Sequence, residues 1–88
     1  MSEYQLNNER IMYAKVGEHG VIYILEKNAY HTANETMSSI LSLIRDGKTE
    51  DEILSALLDE YDVPEDECRS DLKETLEKLL TLGYIKKR

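Results

Sequence analysis

Residues 21–45 read VIYILEKNAYHTANETMSSILSLIR, and the spacing of their apolar side chains changes partway through. The first part, Val21 to Glu26, is rich in β-branched and aromatic residues, the composition of a strand. Lys27-Asn28 is a turn-like pair, after which AYHTA (Ala29 to Ala33) can return as another strand. From Asn34 the period is helical. Asn34 is a good helix cap, and Met37, Ile40, Leu41 and Ile44 fall on one face of ETMSSILSLIR. A chain that switches here from strands to helices belongs to the α+β class.

Toward the N-terminus, IMYAKV (Ile11 to Val16) has the same strand composition and is joined to Val21 by GEHG, Gly17 to Gly20. Two such runs linked by four residues with glycines predict a β-hairpin, and AYHTA extends it to a meander. The first ten residues are polar with little periodicity, which predicts a loose N-terminal arm over 1–10. Toward the C-terminus, Asp46-Gly47 stops the first helix, Gly47 suiting the left-handed residue past its end. Thr49 with Glu52 forms a capping box that opens the next helix, whose stripe is Ile53, Leu54, Leu57, Leu58 and Tyr61.

Pro64 breaks that pattern, and Glu65, Asp66 and Glu67 suit the positive end of a third helix dipole. Cys68, Leu72, Leu76, Leu79 and Leu80 form its apolar face, Gly83 ends it, and Tyr84 to Lys86 closes the chain. The predicted fold is α+β and winged-helix-like: a three-stranded antiparallel β-meander followed by three α-helices, in one domain over 1–88.

A chain of 88 residues fits one domain and buries about 60–65% of its unfolded surface. Its 41% hydrophobic content supplies a modest core, and its 33% charged content argues for a soluble surface. No apolar run approaches the roughly 20 residues of a bilayer span, and MSEYQLNNER lacks the pattern of a secretory signal. The cytoplasm is therefore the expected compartment. A single cysteine, Cys68, cannot form an internal disulfide, and His19 and His31 have no cysteine at zinc-ligand spacing. A net charge of −7 repels phosphate.

Three helices with a sheet invite a DNA-binding winged-helix regulator, which is the alternative function. Against it, Glu65 to Leu82 holds six acids (Glu65, Asp66, Glu67, Asp71, Glu74, Glu77) and three bases (Arg69, Lys73, Lys78). A groove-entering helix needs the reverse balance, and the basic end, Lys86 to Arg88, is too short to restore it. An acyl carrier needs Asp-Ser-Leu at a helix start, whereas this chain has Ser70-Asp71-Leu72 inside one.

Enzymatic readings are also weak. His31 and Cys68 could in principle approach each other as base and nucleophile, but Cys68 on an apolar stripe reads as a small core residue. The acids of TEDE and PEDE are accounted for by helix starts, and there is neither a calcium loop nor a glycine-rich phosphate cradle. The expectation is a non-enzyme with no cofactor and no metal site. What stands out is AYHTA, the terminal strand of the meander. It holds no proline and no permanent charge, the usual guards of an exposed edge. Either the third helix covers that edge, or it is open to an extended peptide adding as a further strand.

Several pieces of the sequence, in this order, resemble the PqqD-like family, also called RiPP precursor peptide recognition elements. Gly20-Val21-Ile22-Tyr23 leads to Tyr30-His31-Thr32-Ala33-Asn34, where the family has an aromatic and then an apolar residue followed by Asn before its first helix. LIRDGKTEDEILSALLDEYDV resembles the family's apolar helix end, Asp-Gly, Thr-led helix and Tyr-containing exit. SDLKETLEKLLTLGYI resembles its Asp-apolar start and closing Leu-x-x-x-Gly-apolar pattern. The resemblance runs over about residues 11–86, with Ala33 standing where the family usually carries a larger apolar residue.

The resemblance implies a non-catalytic adaptor that binds the leader segment of a ribosomally made precursor peptide. It would present that segment to a separate modifying enzyme, such as a radical-SAM enzyme, a leader peptidase or a cyclase. The lack of a fused catalytic domain implies a stand-alone protein. In this family the leader lies between the third strand of the meander and the third helix. Carried over by position, the strand side is Asn28, Ala29, Tyr30, His31 and Thr32. The helix side is Cys68, Arg69, Leu72, Lys73 and Leu76, with Asp71 at the family's acidic position. The surrounding acids predict a leader bearing Lys or Arg, and the open edge also permits a strand-swapped homodimer.

Overall fold

The computed structural model describes residues 3–88. The elements are β1 (Tyr4–Leu6), β2 (Ile11–Val16), β3 (His19–Ile24), β4 (Ala29–Ala33), α1 (Glu35–Arg45), α2 (Glu50–Glu60), α3 (Glu65–Leu82) and β5 (Ile85–Lys87). The predicted α+β architecture is present, with an antiparallel meander in the order β2-β3-β4 and the three helices after it. The hairpin between β2 and β3 is tighter than GEHG suggests. Val16 pairs with His19, so only Gly17 and Glu18 form the loop, and Gly17 adopts φ +65°. A two-residue loop with a left-handed glycine first matches the twist of the strands it joins.

The N-terminal arm is not loose over its whole length. Tyr4–Leu6 pairs antiparallel with Ile85–Lys87, bringing opposite ends of the chain into a two-stranded sheet. Further bonds fasten this pair. The Asn7 amide donates to Tyr84 O at 2.9 Å, and its side-chain nitrogen donates to Gly83 O at 3.0 Å. The Glu3 carboxylate accepts from the Glu50 amide at 3.0 and 3.2 Å, placing negative charge at the N-terminus of α2, where the helix dipole favours it. The start of the predicted arm, residues 1–2, lies outside the described residues.

Helix termini follow the sequence closely. Asn34 Oδ1 accepts from the Met37 amide at 2.9 Å. At α2 the capping box is complete, with Glu52 N donating to Thr49 Oγ1 at 3.1 Å and Thr49 N to Glu52 Oε1 at 2.8 Å. That hydrogen bond to the Thr49 backbone holds the Glu52 carboxyl below its ordinary pKa.

The core joins Ile11, Ile22, Ile24 and Ala33 of the sheet to Ile40, Leu41 and Ile44 of α1, Ile53 and Leu57 of α2, and Leu72, Leu76 and Leu79 of α3. Gly20 lets α1 lie close to the sheet, because a Cβ there would stand 2.6 Å from the Tyr13 ring and 2.8 Å from Ser38 Oγ. In that contact Tyr13 Oη donates to Ser38 O at 2.9 Å or shares its proton with the Ser38 and Ser42 hydroxyls at 2.6 and 2.8 Å. The fully buried Ser38 is thereby satisfied. Among the described residues, no helix is long and apolar enough to cross a membrane.

Candidate functional site

Strand β4 lies at one edge of the meander and, among the described residues, pairs on one side only, with β3. Residues opposite one another across an antiparallel pair share a face. The pairs Ile24–Ala29, Ile22–His31 and Gly20–Ala33 therefore define the helix-facing side, and Tyr23–Tyr30 and Val21–Thr32 the outer side. Tyr30, His31 and Thr32 are exposed, Tyr30 to 71%. His31 thus sits on the helix-facing side without being covered. The turn leading into the strand is held by a hydrogen bond from Tyr23 Oη to Asn28 Oδ1, and Asn28 takes a left-handed φ of 50°.

The opposite edge, β2, differs in two respects. It carries Lys15, a charged guard of the kind that discourages pairing. Its start is tied down as well, since the Arg10 and Ile11 amides both donate to Asn7 O at 2.9 and 3.0 Å. Strand β4 has neither device.

Helix α3 presents a contrasting surface. Leu72 and Leu76 are each 2% exposed and belong to the core, so the expected apolar seam is not open along its length. What opens is a cleft of about 190 Å³ at the N-terminal half of α3, lined among others by Thr36 and Ile40 of α1, Tyr61 and Val63 of the α2–α3 connection, and Cys68, Asp71 and Leu72. Thr36 follows Ala33 by three residues, so the backbones at the end of β4 and at the cleft are no more than about 11 Å apart along the chain. The Tyr61 hydroxyl is buried with no hydrogen-bond partner among the described residues, a polar atom in a mostly apolar surround. Burial, and then the neighbouring Asp71 carboxylate, pushes the Cys68 thiol above its ordinary pKa, which disfavours the thiolate a nucleophile requires.

Of the residues expected on the helix side, Cys68, Asp71 and Leu72 line the cleft. Arg69 and Lys73 are exposed on α3, Arg69 bonding the Glu65 carboxylate one turn back at 3.1 Å. Leu76 lies in the core. Strand β4 packs on β3 and α1, while α3 packs on α2 and β5. Sequence reasoning did not single out Thr36, Tyr61 and Val63 as site residues. The available signal was the position of Tyr61, at the end of the α2 stripe just before the Pro64 break. Among the described residues no group of three or more His, Cys, Asp or Glu could hold a metal ion.

Comparison with solved structures gives the fold independently. TbiB1, solved in complex with the TbiA(beta) leader peptide, superposes with a TM-score of 0.83 at 24% identity, over 93% of this chain and 94% of that one. Lasso peptide synthetase B1, solved with its leader peptide, gives a TM-score of 0.82 at 22% identity, over 97% and 99%. The heterocyclase TruD gives 0.66 at 16% identity, the whole of this chain matching 12% of that larger one. No curated protein sequence matches the chain. The model of the family described as coenzyme PQQ synthesis protein D matches residues 19–85, from the start of β3 into β5. With three quarters of its length matched in this way, the chain belongs to the PqqD family.

Proposed function

We propose that this protein is a non-catalytic adaptor that binds the leader segment of a ribosomally made precursor peptide and presents it to a separate modifying enzyme. Membership of the PqqD family and the likeness to two proteins solved with leader peptides support this reading. The observation that carries it is β4, an exposed edge strand with one paired side and no charged or proline guard. A guest peptide completes the sheet there by backbone hydrogen bonds to Asn28 through Thr32, and its side chains set the specificity. On the helix-facing side, guest residues lie over His31 and reach the cleft of Cys68, Asp71 and Leu72, where one apolar side chain fits. Arg69 and Lys73 flank it, and Leu76 supports it from within the core.

Charge shapes the preferred guest. From Glu50 to Glu67 the chain holds nine acids and neither Lys nor Arg, and this segment runs up to the cleft at Tyr61 and Val63. A leader with Lys or Arg beside its anchoring residues is favoured, whereas duplex DNA is repelled. Affinity then falls as NaCl is raised from about 0.05 to about 0.5 M, and a salt-independent affinity would refute this part of the reading.

The direct test uses a candidate leader peptide that carries Lys or Arg beside an apolar residue. Titrated into labelled protein, it should shift the amide signals of Ala29–Ala33. Calorimetry with Tyr30→Pro should show binding about two- to tenfold weaker, the worth of one backbone hydrogen bond, if that amide faces the guest. Thermal unfolding run in parallel separates this from an amide that faces β3, whose loss lowers stability instead. Amides of Ala29–Ala33 that remain still while the peptide binds elsewhere would end the strand-addition reading.

A further inference from the structure

The face of the meander turned away from the helices carries an ordered apolar row. Met12 pairs with Tyr23, and Tyr23 with Tyr30, so the three lie side by side across β2, β3 and β4. The Tyr23 and Tyr30 rings meet edge to face, with centroids 4.9 Å apart, and Tyr23 is fixed by its bond to Asn28. Met12 is 61% exposed and Tyr30 71%, so the row is in solvent. A shallow depression joins these three residues to Ala14 and Val21. The row ends at the open edge, with one side of Tyr30 contacting Tyr23 and the other facing the position a fourth strand would take.

We propose that Tyr30 is a specificity-determining residue, selecting an aromatic or β-branched side chain at the single guest position in register with it on the outer face. This rests on the strand-addition reading. A residue opposite Tyr30 in an added strand has its Cβ about 4.5–5.5 Å away, within reach of ring contact. Since successive residues of a strand alternate faces, this outer residue is distinct from those directed at His31 and the cleft. The guest is thus read on both sides of the sheet, by the cleft beneath and by the aromatic row above. Tyr23, in edge-to-face contact with Tyr30, acts as a positioning residue for its ring.

The experiment selects binders from a display library of random fourteen-residue peptides, a probe length chosen to span about twice the five residues of β4 plus the cleft. The tightest peptide is scanned with alanine against three proteins: wild type, Tyr30→Thr, and the double variant Tyr30→Thr with Thr32→Tyr. Thr32 lies on the same outer face two residues along, so the double variant relocates the ring without removing it. In wild type, alanine at one aromatic or β-branched position weakens binding about two- to tenfold. In Tyr30→Thr that penalty disappears while the penalties at the other positions remain, and in the double variant it moves by two residues.

Amide protection of Ala29–Ala33 is recorded for the same complexes. If those amides are protected but the penalty pattern is unchanged across the three proteins, the strand adds and the outer face does not select, which overturns the proposal alone. If they are unprotected, the strand-addition reading fails and takes the proposal with it. Both substituted positions are exposed, and wild-type-like unfolding of the variants confirms that the readout reports recognition.

Discussion

Strand β4 and helix α3 are the two walls proposed for the guest peptide, yet they differ in what they leave exposed. On β4 the middle residues Tyr30, His31 and Thr32 are exposed and the backbone pairs on one side only. On α3 the apolar residues Leu72, Leu76 and Leu79 are at most 2% exposed and hold the helix to the rest of the fold. One wall is spare surface; the other is the outside of the core. Substitutions on β4 should therefore change binding with little effect on stability, and substitutions along the α3 stripe should do the reverse. Only the cleft at Cys68, Asp71 and Leu72 joins the two roles.

The largest expected effect tests the α3 wall. Leu76→Ala removes buried methyl groups where neighbours on several elements cannot all close in, and should lower the unfolding free energy by about 2–5 kcal/mol. Urea denaturation measures it, and the fraction still folded should keep most of its peptide affinity, because Leu76 acts on the guest only through the core. A Leu76→Ala protein of unchanged stability that no longer binds would reverse the contrast between the walls.

A smaller effect is expected behind the β4 wall, at Gly20, which faces Ala33 across the ladder. Gly20→Ala forces the Tyr13 ring and Ser38 apart and should cost about 1–3 kcal/mol by overpacking. Because the strain falls on the α1 contact and not on the free edge, peptide affinity measured on the folded protein should remain within a factor of about two. A large loss of affinity would show that the edge depends on how α1 seats against the sheet.

Much of this contrast was legible in the sequence, and one part was misassigned. The bounds of β2, β4 and the three helices follow from local signals: Asn34, the Thr49–Glu52 box, Pro64 and the period of the apolar residues. Open β4 was legible too, because a terminal meander strand without Lys, Glu or Pro has no local guard. The α3 seam was not. Cys68, Leu72 and Leu76 at helical spacing announce burial, and the same periodicity cannot say whether the covering partner is a guest or the protein's own core. In a chain of this size the core takes precedence, since few apolar residues are available to build it. The β1–β5 pair was invisible for a different reason. Three-residue strands such as YQL carry too little alternation to read, and their pairing joins residues about 80 positions apart.

Next in size is Thr49→Ala, which deletes one half of the α2 capping box and should cost about 1 kcal/mol without affecting the β4 wall. The other half supplies a pH signature. Glu52 has a folded-state pKa below its ordinary 4.5, so its contribution is present above that value and is lost as pH falls through the depressed folded value. Glu52→Gln should make the unfolding free energy fall less steeply below about pH 4.5. An unchanged acid slope would mean that the bond from Thr49 N does not persist in solution.

The smallest effect examines the cleft, where residues of the helix wall are both packed and accessible. Cys68 is 8% exposed, and burial together with Asp71 raises its thiol pKa above the ordinary 9.0. At pH 8 a smaller fraction is therefore thiolate than in an exposed cysteine, and what forms is shielded, so iodoacetamide should label native protein much more slowly than urea-unfolded protein. Asp71→Asn removes one of the two causes and should speed native labelling modestly at fixed pH, leaving burial as the main restraint. A bound leader that fills the cleft should slow labelling further, while a peptide engaging β4 alone should leave the rate unchanged. Labelling therefore reports occupancy of the helix side separately from the Ala29–Ala33 amides. Rapid modification of the native thiol at pH 8 would show that this half of α3 opens readily, and the contrast between a spare strand wall and a fixed helix wall would then hold only from Leu72 onward.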